Sequence, residues 1–547
     1  LKRDARKKSI GKIYINIVDK IDFEPSAGTT VFGLVSSEEG PVANVVVSDG
    51  TEVTVTDDKG IYELKSAKKW GYVFISVPSG YEVAAEGVFP QFYQTLKGAA
   101  DVVEQKDFKL TKVDGQDRYK LFLLGDMHLA NRTNDAAQFT QFTTDLNAYM
   151  AQHSGQKMYA LTLGDMTWDL YWYKNNYALP QYRETINRQV KNLQIYHTMG
   201  NHDNDFMTTS DYDAAVKYVD CIGPTFYSFN IGQVHYVVMD NIDCSAYDGT
   251  DSRNYVKKLS NEQLKWLAKD LAYVDKSTPL IVAMHAQIYK PTSTGFAFDH
   301  DSANTEALLA ALDGYEVHFV TGHTHKVYNI TPDDDVVKGR DIHEHNSGAI
   351  CASWWWSGNL TPGVHVSIDG APGGYAIWDI DGTDFAWLYK STGWPEEYQF
   401  RSYDLNNVSF SMDDVPNIPS NVLIQLDYKK YVNAYPENSD NEVLIKIWNW
   451  NSNWELSVVE RGKTLEYTPV WAYDPLHIAA LSVPRFNNSG ITSTPSFVTE
   501  SATNFFKVKA DDADVDLTIT VKDEFGHTWT EEMQRPKAFS TDAYKIR

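Results

Sequence analysis

The first part of the chain contains short apolar runs that are separated by turn residues. These runs occupy residues 30–35, 42–48, 52–56, 60–64 and 72–77. Gly, Asp, Ser and Pro residues lie between them and favour tight turns. Short strands at this spacing predict a β-sandwich, which we place at residues 27–112. We assign residues 1–26 to a tail or linker that precedes it.

From residue 113 the pattern changes, because strand-like runs now alternate with segments of helical periodicity. The strand-like runs are residues 121–124, 158–163, 194–199, 280–284 and 317–320. The helical segments are residues 135–150, 181–193, 260–274 and 303–312. This alternation predicts β-α-β units and a sheet covered by helices. Further strands at residues 234–239, 364–368, 374–380 and 385–389 are expected to build a second sheet.

Helical periodicity disappears from about residue 394 onward. Apolar or alternating segments lie at residues 422–426, 443–448, 506–509 and 517–521, between clusters of Asn, Asp, Gly and Pro. We predict strands for these segments, and therefore a β-rich third domain at residues 394–547. The α/β domain then spans residues 113–393.

Each predicted strand of the α/β domain is followed by polar residues of the types that bind metals. These residues are Asp126, His128, Asp165, Asn201, His202, His285, His323 and His325. The carboxyl ends of parallel strands meet at one edge of a sheet, where ligands of open α/β sheets bind. Carboxylate, amide and imidazole groups together suit Mn, Fe or Zn better than Ca or Mg. The sequence therefore predicts a transition-metal site at this edge.

Each of these short patterns is weak evidence when it stands alone. An Asp after a strand is usually part of a turn, and a single His there is more often a buried structural residue than a ligand. Five such segments in one α/β domain, each at a strand end, favour a shared site over coincidence.

The net charge and the apolar content of the chain limit the classes of partner that it is expected to bind. The 547-residue chain has a formal net charge of −24, and a broad acidic surface argues against nucleic-acid binding. No apolar run reaches the roughly 20 residues that a membrane helix requires. For Cys221, Cys244 and Cys351 we favour free buried thiols, while a Cys221–Cys244 bridge stays open.

The five segments read Gly-Asp-Met-His, Gly-Asp-Met, Gly-Asn-His-Asp, Met-His and Gly-His-Thr-His, in this order. This series resembles the calcineurin-like metallophosphoesterase superfamily over roughly residues 117–390. The flanking domains resemble the N- and C-terminal modules of a bacterial branch of it, and residues 27–112 also resemble the carboxypeptidase-regulatory-like β-sandwich. The resemblance implies a four-layer α/β/β/α sandwich, flanked by an N-terminal β-sandwich and a C-terminal β-rich domain.

The resemblance also implies a set of metal ligands. The first metal would be bound by Asp126, His128 and His325, and the second by Asn201, His285 and His323. Asp165 would bridge the two metals, which are divalent or trivalent transition-metal ions (Mn, Fe or Zn).

The activity that the resemblance implies is hydrolysis of a phosphate mono- or diester by a metal-activated hydroxide. His202 would face the scissile phosphate and give a proton to the leaving group. Asp203 would orient His202, although a role in capping a turn is equally open.

Aromatic residues lie close to these segments in the sequence. Residues 354–356 are three tryptophans, which either pack between the second and third domains or form a wall for an apolar or sugar-bearing substrate. Trp168, Asp169 and Tyr171 follow Asp165 and are expected to line the same cleft.

Two other functions stay open. The first is a surface or periplasmic protein that binds a glycan or a partner, in which the metal site is vestigial. The second is metal-dependent hydrolysis of an ester other than a phosphate ester. For the leading hypothesis the expected partner is a phosphorylated small molecule, lipid or sugar, with no nucleic acid and no transmembrane segment.

Localisation depends on the start of the chain. The first residue is Leu1, which suggests that a preceding segment was removed, and surface anchoring through such a segment stays open. Together with the family resemblance, this favours an exported protein, periplasmic or surface-anchored, while a cytoplasmic location stays open.

Overall fold

A computed structural model describes residues 23–546 of this chain. Most of the tail that we assigned to residues 1–26 therefore lies outside the described residues. The first domain contains the strands β1 (Val31–Ser37), β2 (Gly40–Pro41), β3 (Val46–Ser48), β4 (Val53–Val55), β5 (Ile61–Leu64), β6 (Tyr72–Ile75), β7 (Tyr81–Val83), β8 (Ala85–Glu86), β9 (Phe89–Pro90), β10 (Tyr93–Thr95), β11 (Glu104–Gln105) and β12 (Phe108–Lys112).

These strands form the predicted sandwich. One sheet has the order β11-β1-β12-β7, with β2 and β5 also paired to β1, and the facing sheet has the order β10-β6-β3-β4. The side chains of Val31, Val35 and Val47 are fully buried between the sheets. The sandwich also packs on the second domain, where the rings of Phe74 and Trp266 lie 6.1 Å apart.

The second domain contains two larger sheets. Its strands are β13 (Arg118–Leu124), β14 (Lys157–Thr162), β15 (Gln194–Tyr196), β16 (Tyr227–Ile231), β17 (Val234–Val238), β18 (Ile242–Asp243), β19 (Val256–Lys257), β20 (Leu280–Ala283), β21 (Tyr289–Thr292), β22 (Gly295–Phe298), β23 (Val317–Thr321), β24 (Val327–Ile330), β25 (Ile342–Ser347), β26 (Gly374–Asp381) and β27 (Asp384–Ser391). The first sheet has the order β15-β14-β13-β26-β27, and the second has the order β16-β17-β20-β23-β25-β24.

Helices cover the outer face of each sheet. They are α1 (Asp135–Gln152), α2 (Leu179–Gln189), α3 (Asp211–Cys221), α4 (Asn261–Asp270), α5 (Ser302–Ala311) and α6 (Trp356–Leu360). Phe142 of α1 packs on Tyr375 of the first sheet, with ring centroids 5.5 Å apart. Trp266 of α4 and Leu308 of α5 are buried in the same apolar core as Ile281 of the second sheet. The expected four-layer α/β/β/α order is therefore confirmed.

The predicted composition of the second sheet was partly wrong. Strands β26 and β27 join the first sheet, because β26 pairs antiparallel with β13 from Arg118 opposite Asp381 to Leu123 opposite Ala376. Residues 364–368 form no strand and contribute only an isolated bridge between Val366 and Pro372. The apolar pattern of a strand does not encode which distant segment it pairs with, because this pairing is set by the tertiary structure.

The third domain is β-rich, as expected. Its strands are β28 (Phe400–Asp404), β29 (Glu442–Ile447), β30 (Glu455–Glu460), β31 (Lys463–Leu465), β32 (Tyr467–Tyr473), β33 (Ser501–Lys509), β34 (Leu517–Lys522) and β35 (Thr528–Met533). They build two sheets, with the orders β28-β29-β33-β32 and β31-β30-β34-β35. The domain also contains the helices α7 (Val422–Ala434), α8 (Pro475–His477) and α9 (Val483–Phe486).

The strand that we predicted at residues 422–426 was wrong, because helix α7 begins there. The side chain of Asn421 accepts hydrogen bonds from the backbone N–H groups of Leu423 and Ile424 and so caps the helix. Ile424, Tyr428 and Tyr431 are buried at helical spacing, whereas Leu423 is 72% exposed. The short apolar run concealed this periodicity, which becomes clear only over the whole segment.

Residues 23–546 contain no helix that is both long and apolar enough to cross a membrane.

Candidate metal centre

The predicted ligands converge at the seam between the two sheets of the second domain. Asp126, Asp165 and Asn201 follow β13, β14 and β15, which are adjacent parallel strands of the first sheet. His285 and His323 follow β20 and β23, which are adjacent and parallel in the second sheet. Because the strand ends of both sheets meet at this seam, residues that are far apart in sequence become neighbours.

One group of side chains surrounds Asp126. Its Oδ1 atom lies 3.2 Å from His325 Nε2 and 3.6 Å from His128 Nε2. The two histidine nitrogens face each other at 3.0 Å. All three side chains are at most 1% exposed.

A second group surrounds Asn201. Its Oδ1 atom lies 2.9 Å from both His285 Nε2 and His323 Nδ1, and these two nitrogens are 3.1 Å apart. The carboxylate of Asp165 lies between the two groups, since its Oδ2 atom is 3.4 Å from His128 Nε2 and 3.2 Å from His285 Nε2.

The backbone is strained at most of these positions. The φ angles of Asp126, His128, Asp165, His323 and His325 lie between 44° and 67°, in the left-handed region that residues other than glycine rarely adopt. Such conformations cost roughly 1–3 kcal/mol each and concentrate at functional sites. The left-handed residues turn the chain sharply after each strand, which brings the side chains into the seam.

Glycines allow the strand ends to approach one another closely. A Cβ atom on Gly200 would lie 2.2 Å from Asp165 Oδ1, and one on Gly322 would lie 2.4 Å from Asp126 Oδ2. These glycines are therefore required by close contact with the carboxylates, and not only by the exit from a strand.

Gly322→Ala should weaken the binding of Mn²⁺ by about 10- to 100-fold, the scale seen when the groups that support a metal ligand are disturbed. The added methyl group would displace the Asp126 carboxylate. Calorimetric titration of the apoprotein with Mn²⁺ measures the change. Gly155→Ala is the matched control, because no atom lies within 4 Å of its added Cβ. Equal affinities in the two variants would contradict the close-contact argument.

The electrostatics of the centre favour positive charge. Burial lowers the pKa of His285, but the Asp165 carboxylate outweighs burial and raises this pKa to about 9. Burial raises the pKa of Asp126, but His325 and His128 outweigh it and hold the carboxyl well below its usual range. Buried carboxylates in this arrangement need cations beside them.

His202 lies beside the first group, and its orienting partner is Asp169. The ring nitrogen Nδ1 of His202 lies 2.7 Å from Asp169 Oδ1. Arg253 Nη1 lies 3.0 Å from the same carboxylate oxygen and 3.0 Å from the same ring nitrogen. Arg253 carries no signal in the sequence, because it lies in a loop with no motif around it.

The contacts of Asp203 match the turn-capping alternative that the sequence left open. Its carboxylate accepts hydrogen bonds from the backbone N–H groups of Gly200 (3.0 Å), Thr167 (3.1 Å) and Met166 (3.3 Å). It therefore ties the loop after β15 to the loop after β14 and does not orient the His202 ring. Burial, together with the nearby Asp165, raises the pKa of Asp203 to about 7.

Aromatic side chains line one side of the centre, and one of them comes from the third domain. Trp354 stacks on His325 at 3.9 Å between ring centroids, and Phe497 stacks on Trp354 at 4.1 Å. Trp168 contacts the rings of both His128 and His202 at 5.5 Å. Trp354 thus both packs between domains and borders the centre.

Family profiles match three successive parts of the chain. The profile described as "Calcineurin-like phosphoesterase" matches residues 119–327. Those described as the N terminal and the C terminal of calcineurin-like phosphoesterase match residues 29–113 and 344–529. The chain belongs to the calcineurin-like phosphoesterase family. The domain boundaries at residues 112 and 393 stay predictions.

The chain is also similar to solved structures at low identity. A dimetal phosphatase from Danio rerio is 12% identical, with 50% of this chain and 96% of that chain covered and a TM-score of 0.36. A 5′-nucleotidase from Candida albicans is 11% identical, with 74% and 91% covered and a TM-score of 0.32. GAP50 from Plasmodium, described as the anchor in the inner membrane complex, is 14% identical, with 50% and 85% covered and a TM-score of 0.31. A comparison with curated proteins finds no match.

Family membership implies a hydrolase that uses divalent metal ions, and the side chains of this phosphoesterase fit such ions. The Nδ1 atoms of His285 and His325 donate hydrogen bonds to the carbonyl oxygens of Leu163 (2.7 Å) and Ala352 (2.8 Å). In the neutral rings, the Nε2 atoms are therefore unprotonated and face the centre as acceptors. Acceptor atoms that converge in this way form the ligand set of a cation.

Sequence analysis did not place Cys351 at the metal centre. Its Sγ atom lies 3.6 Å from His325 Nδ1, and its side chain is fully buried. Burial raises the pKa of the thiol. Cys351 was noted only as one of the free thiols, and all three cysteines are indeed free.

Proposed function

We propose that this phosphoesterase hydrolyses a phosphate mono- or diester and that two metal ions act together in its centre. The position of Asp165 carries the proposal. Its carboxylate lies within 3.4 Å of a histidine from each of the two ligand groups. A carboxylate that lies between two groups of ligands supports a pair of cations, one in each group.

The first ion would be held by Asp126, His128 and His325, and the second by Asn201, His285 and His323, with Asp165 between them. Mixed oxygen and nitrogen ligands favour Mn, Fe or Zn. When bound, two such ions activate water as a nucleophile and withdraw charge from the phosphoryl oxygens.

His202 would supply the leaving-group proton. Because Asp169 accepts a hydrogen bond from Nδ1, the ring is fixed in orientation and Nε2 is the nitrogen that is free to face the ester. Arg253 holds the Asp169 carboxylate in place, with Nη1 3.0 Å from Oδ1. Asp203 would act on the loops that carry the ligands and not on the proton.

The surroundings of the centre support a substrate with an apolar or sugar-bearing group. The stacked rings of Trp354 and Phe497 offer a flat apolar surface next to His325. The guanidinium groups of Arg132 and Arg485 lie 4.6 Å from the Trp168 ring and 4.5 Å from the Trp356 ring, respectively. We expect a phosphorylated small molecule, lipid or sugar that contacts this surface.

A hydrolysis assay with Mn²⁺ and nitrophenyl esters tests the proposed function. Turnover of p-nitrophenyl phosphate supports a monoesterase, and turnover of bis-p-nitrophenyl phosphate supports a diesterase. Turnover of neither, by protein that holds two equivalents of metal, would overturn the proposal. In that case a protein that binds a glycan or partner would be favoured, and a glycan array would then be the next measurement.

Phe497→Ala should raise KM for a nitrophenyl ester by about 2- to 10-fold and leave kcat nearly unchanged, because an aromatic contact is worth about 0.5–1.5 kcal/mol. Glycerol phosphate, which has no ring, should show no such change. Tyr467→Ala is the control, since Tyr467 is a partly exposed aromatic residue of the same domain. An unchanged KM in Phe497→Ala would remove the third domain from substrate binding.

A further inference from the structure

Three histidines lie side by side in the second sheet, at the end opposite the phosphoesterase centre. His318 of β23 is the register partner of His343 of the parallel strand β25. His345 is two residues further along β25 and therefore points to the same face of the sheet. One ring nitrogen from each of the three lies within 4.8 Å of those from the other two. His318 precedes the ligand His323 by five residues of extended chain, which is roughly 16 Å.

Hydrogen bonds to the outer nitrogens determine which nitrogens carry protons. The side-chain amide of Asn329 donates from Nδ2 to the carbonyl oxygen of Asn449 at 3.0 Å. Its Oδ1 atom therefore accepts from His345 Nδ1 at 2.9 Å. His345 Nε2 is then unprotonated in the neutral ring.

The second ring is fixed in the same way by a carboxylate. His318 Nε2 lies 3.2 Å from Glu316 Oε1, which accepts a hydrogen bond from it. The inner nitrogens, His318 Nδ1 and His345 Nε2, consequently face each other at 3.1 Å as two acceptors. Two lone pairs at this distance repel each other unless a cation lies between or beside them.

Two histidines of the phosphoesterase centre make comparable outer hydrogen bonds, although their rings cross those of their neighbours at 78° and 48°, whereas the rings of the three-histidine cluster lie within 10° of parallel. His285 and His325 donate from their outer nitrogens to carbonyl oxygens, and their inner nitrogens face other imidazole nitrogens at 3.1 Å and 3.0 Å. In both sites, acceptor oxygens bind the outer ring nitrogens and fix the rings, and the inner nitrogens face one another. Such outer contacts are typical of metal-binding histidines.

We propose that His318, His343 and His345 form a second, separate metal site that binds Zn²⁺ or a similar transition-metal ion. Three imidazoles are a known ligand set for zinc. The rings of His318 and His345 are at most 3% exposed, and burial disfavours a protonated ring as the source of the positive charge. His343 stacks on His318 at 4.3 Å and completes the set from the more exposed side.

Two carboxylates and a surface cavity lie near the three histidines. The carboxylates of Glu316 and Asp341 lie beside the cluster, 3.2 Å from His318 Nε2 and 4.0 Å from His343 Nε2. Phe385, whose ring contacts His318 at 4.9 Å, lines an open surface cavity of about 930 Å³. Glu316 and Asp341 thus place two carboxylates beside the cluster, and Phe385 separates it from this cavity.

The site would connect three layers of the molecule. Trp378 and Trp387 of the first sheet contact the His345 ring at 4.7 Å and 4.5 Å. Asn329 links the same ring to Asn449 of the third domain. A bound ion would hold β23 and β25 together beneath these contacts, so we assign it a structural role.

Elemental analysis after Zn²⁺ loading and gel filtration tests the site. The Asp165→Asn background removes the bridging ligand of the phosphoesterase centre, so Zn²⁺ bound elsewhere can be counted. We expect Asp165→Asn to hold one equivalent more than Asp165→Asn/His343→Gln. His153→Gln is the matched control, because His153 is a partly exposed histidine that also stacks on an aromatic ring, and it should lose no zinc.

His343→Gln alone should lose one equivalent of zinc and keep its activity towards nitrophenyl esters, since His343 lies far from the phosphoesterase centre. Its melting temperature should become insensitive to the last equivalent of Zn²⁺, whereas that of wild type rises. Circular dichroism verifies that the variant is folded. If His343→Gln holds as much zinc as wild type in both backgrounds, the cluster is a hydrogen-bonded chain and the proposal is overturned.

Discussion

Asp165→Asn should lose metal and activity together. We expect elemental analysis to find fewer equivalents of Mn than in wild type, and kcat/KM to fall by roughly 10³-fold, because the metals supply several kcal/mol of transition-state stabilisation. The physical reason is that Asp165 Oδ2 contacts a histidine of each ligand group. A neutral amide removes the negative charge that both ions share, while it preserves the shape of the side chain.

Asp205→Asn is the matched control for this result. Asp205 is another buried carboxylate of the neighbouring loop, but it pairs with Lys217 at 2.6 Å and contacts no predicted ligand. It should keep both the metal content and the rate of wild type. Full activity in Asp165→Asn at wild-type metal content would show that the two ligand groups work independently, which would contradict the binuclear proposal.

His202→Ala should keep its metals and lose about 10²- to 10⁴-fold in kcat, the usual contribution of a general acid. The ring lies beside the first ligand group but is held by Asp169, so its removal leaves the other ligands in place. The loss should be smaller for substrates with good leaving groups such as nitrophenolate, because these need less help from a proton. Steady-state kinetics and elemental analysis on the same sample separate the two effects.

Two neighbouring variants make this test sharper. Asp169→Asn should give the same leaving-group dependence as His202→Ala, since it removes the carboxylate that orients the ring. Asp203→Asn should instead weaken metal binding, because Asp203 ties together the loops that carry Asp165 and Asn201. Unchanged rates in both His202→Ala and Asp169→Asn would remove this pair from the mechanism.

Much of this protein could be predicted without its structure. The ligands lie directly after apolar strands, and parallel strands must end at a common edge, so Asp126, Asp165 and Asn201 could be assigned to one site from spacing alone. His285 follows a strand of the other sheet, and only the packing of the two sheets brings it to them. The α/β order of the second domain and the sandwich before it followed from the periodicity of apolar residues.

The strand predicted at the start of helix α7 and the sheet predicted for β26 and β27 were wrong for a shared reason. In both cases the pattern of apolar residues shows that the segment is buried, but it does not show which part of the protein the segment packs against. Val422–Ala434 buries Ile424, Tyr428 and Tyr431 against the third domain, and β26 pairs with β13 across some 250 residues of sequence. Contacts of this kind depend on which surfaces pack together in the folded protein.

The sequence by itself determined which residues can bind metal and that they lie at strand ends, because residue type and strand periodicity are local properties. Only the tertiary structure decided that Asp169 orients His202, that Arg253 and Phe497 reach the centre, and that His318 meets His343 and His345. Those contacts join loops, sheets and domains that are distant in sequence, so their distances exist only once the whole chain has packed.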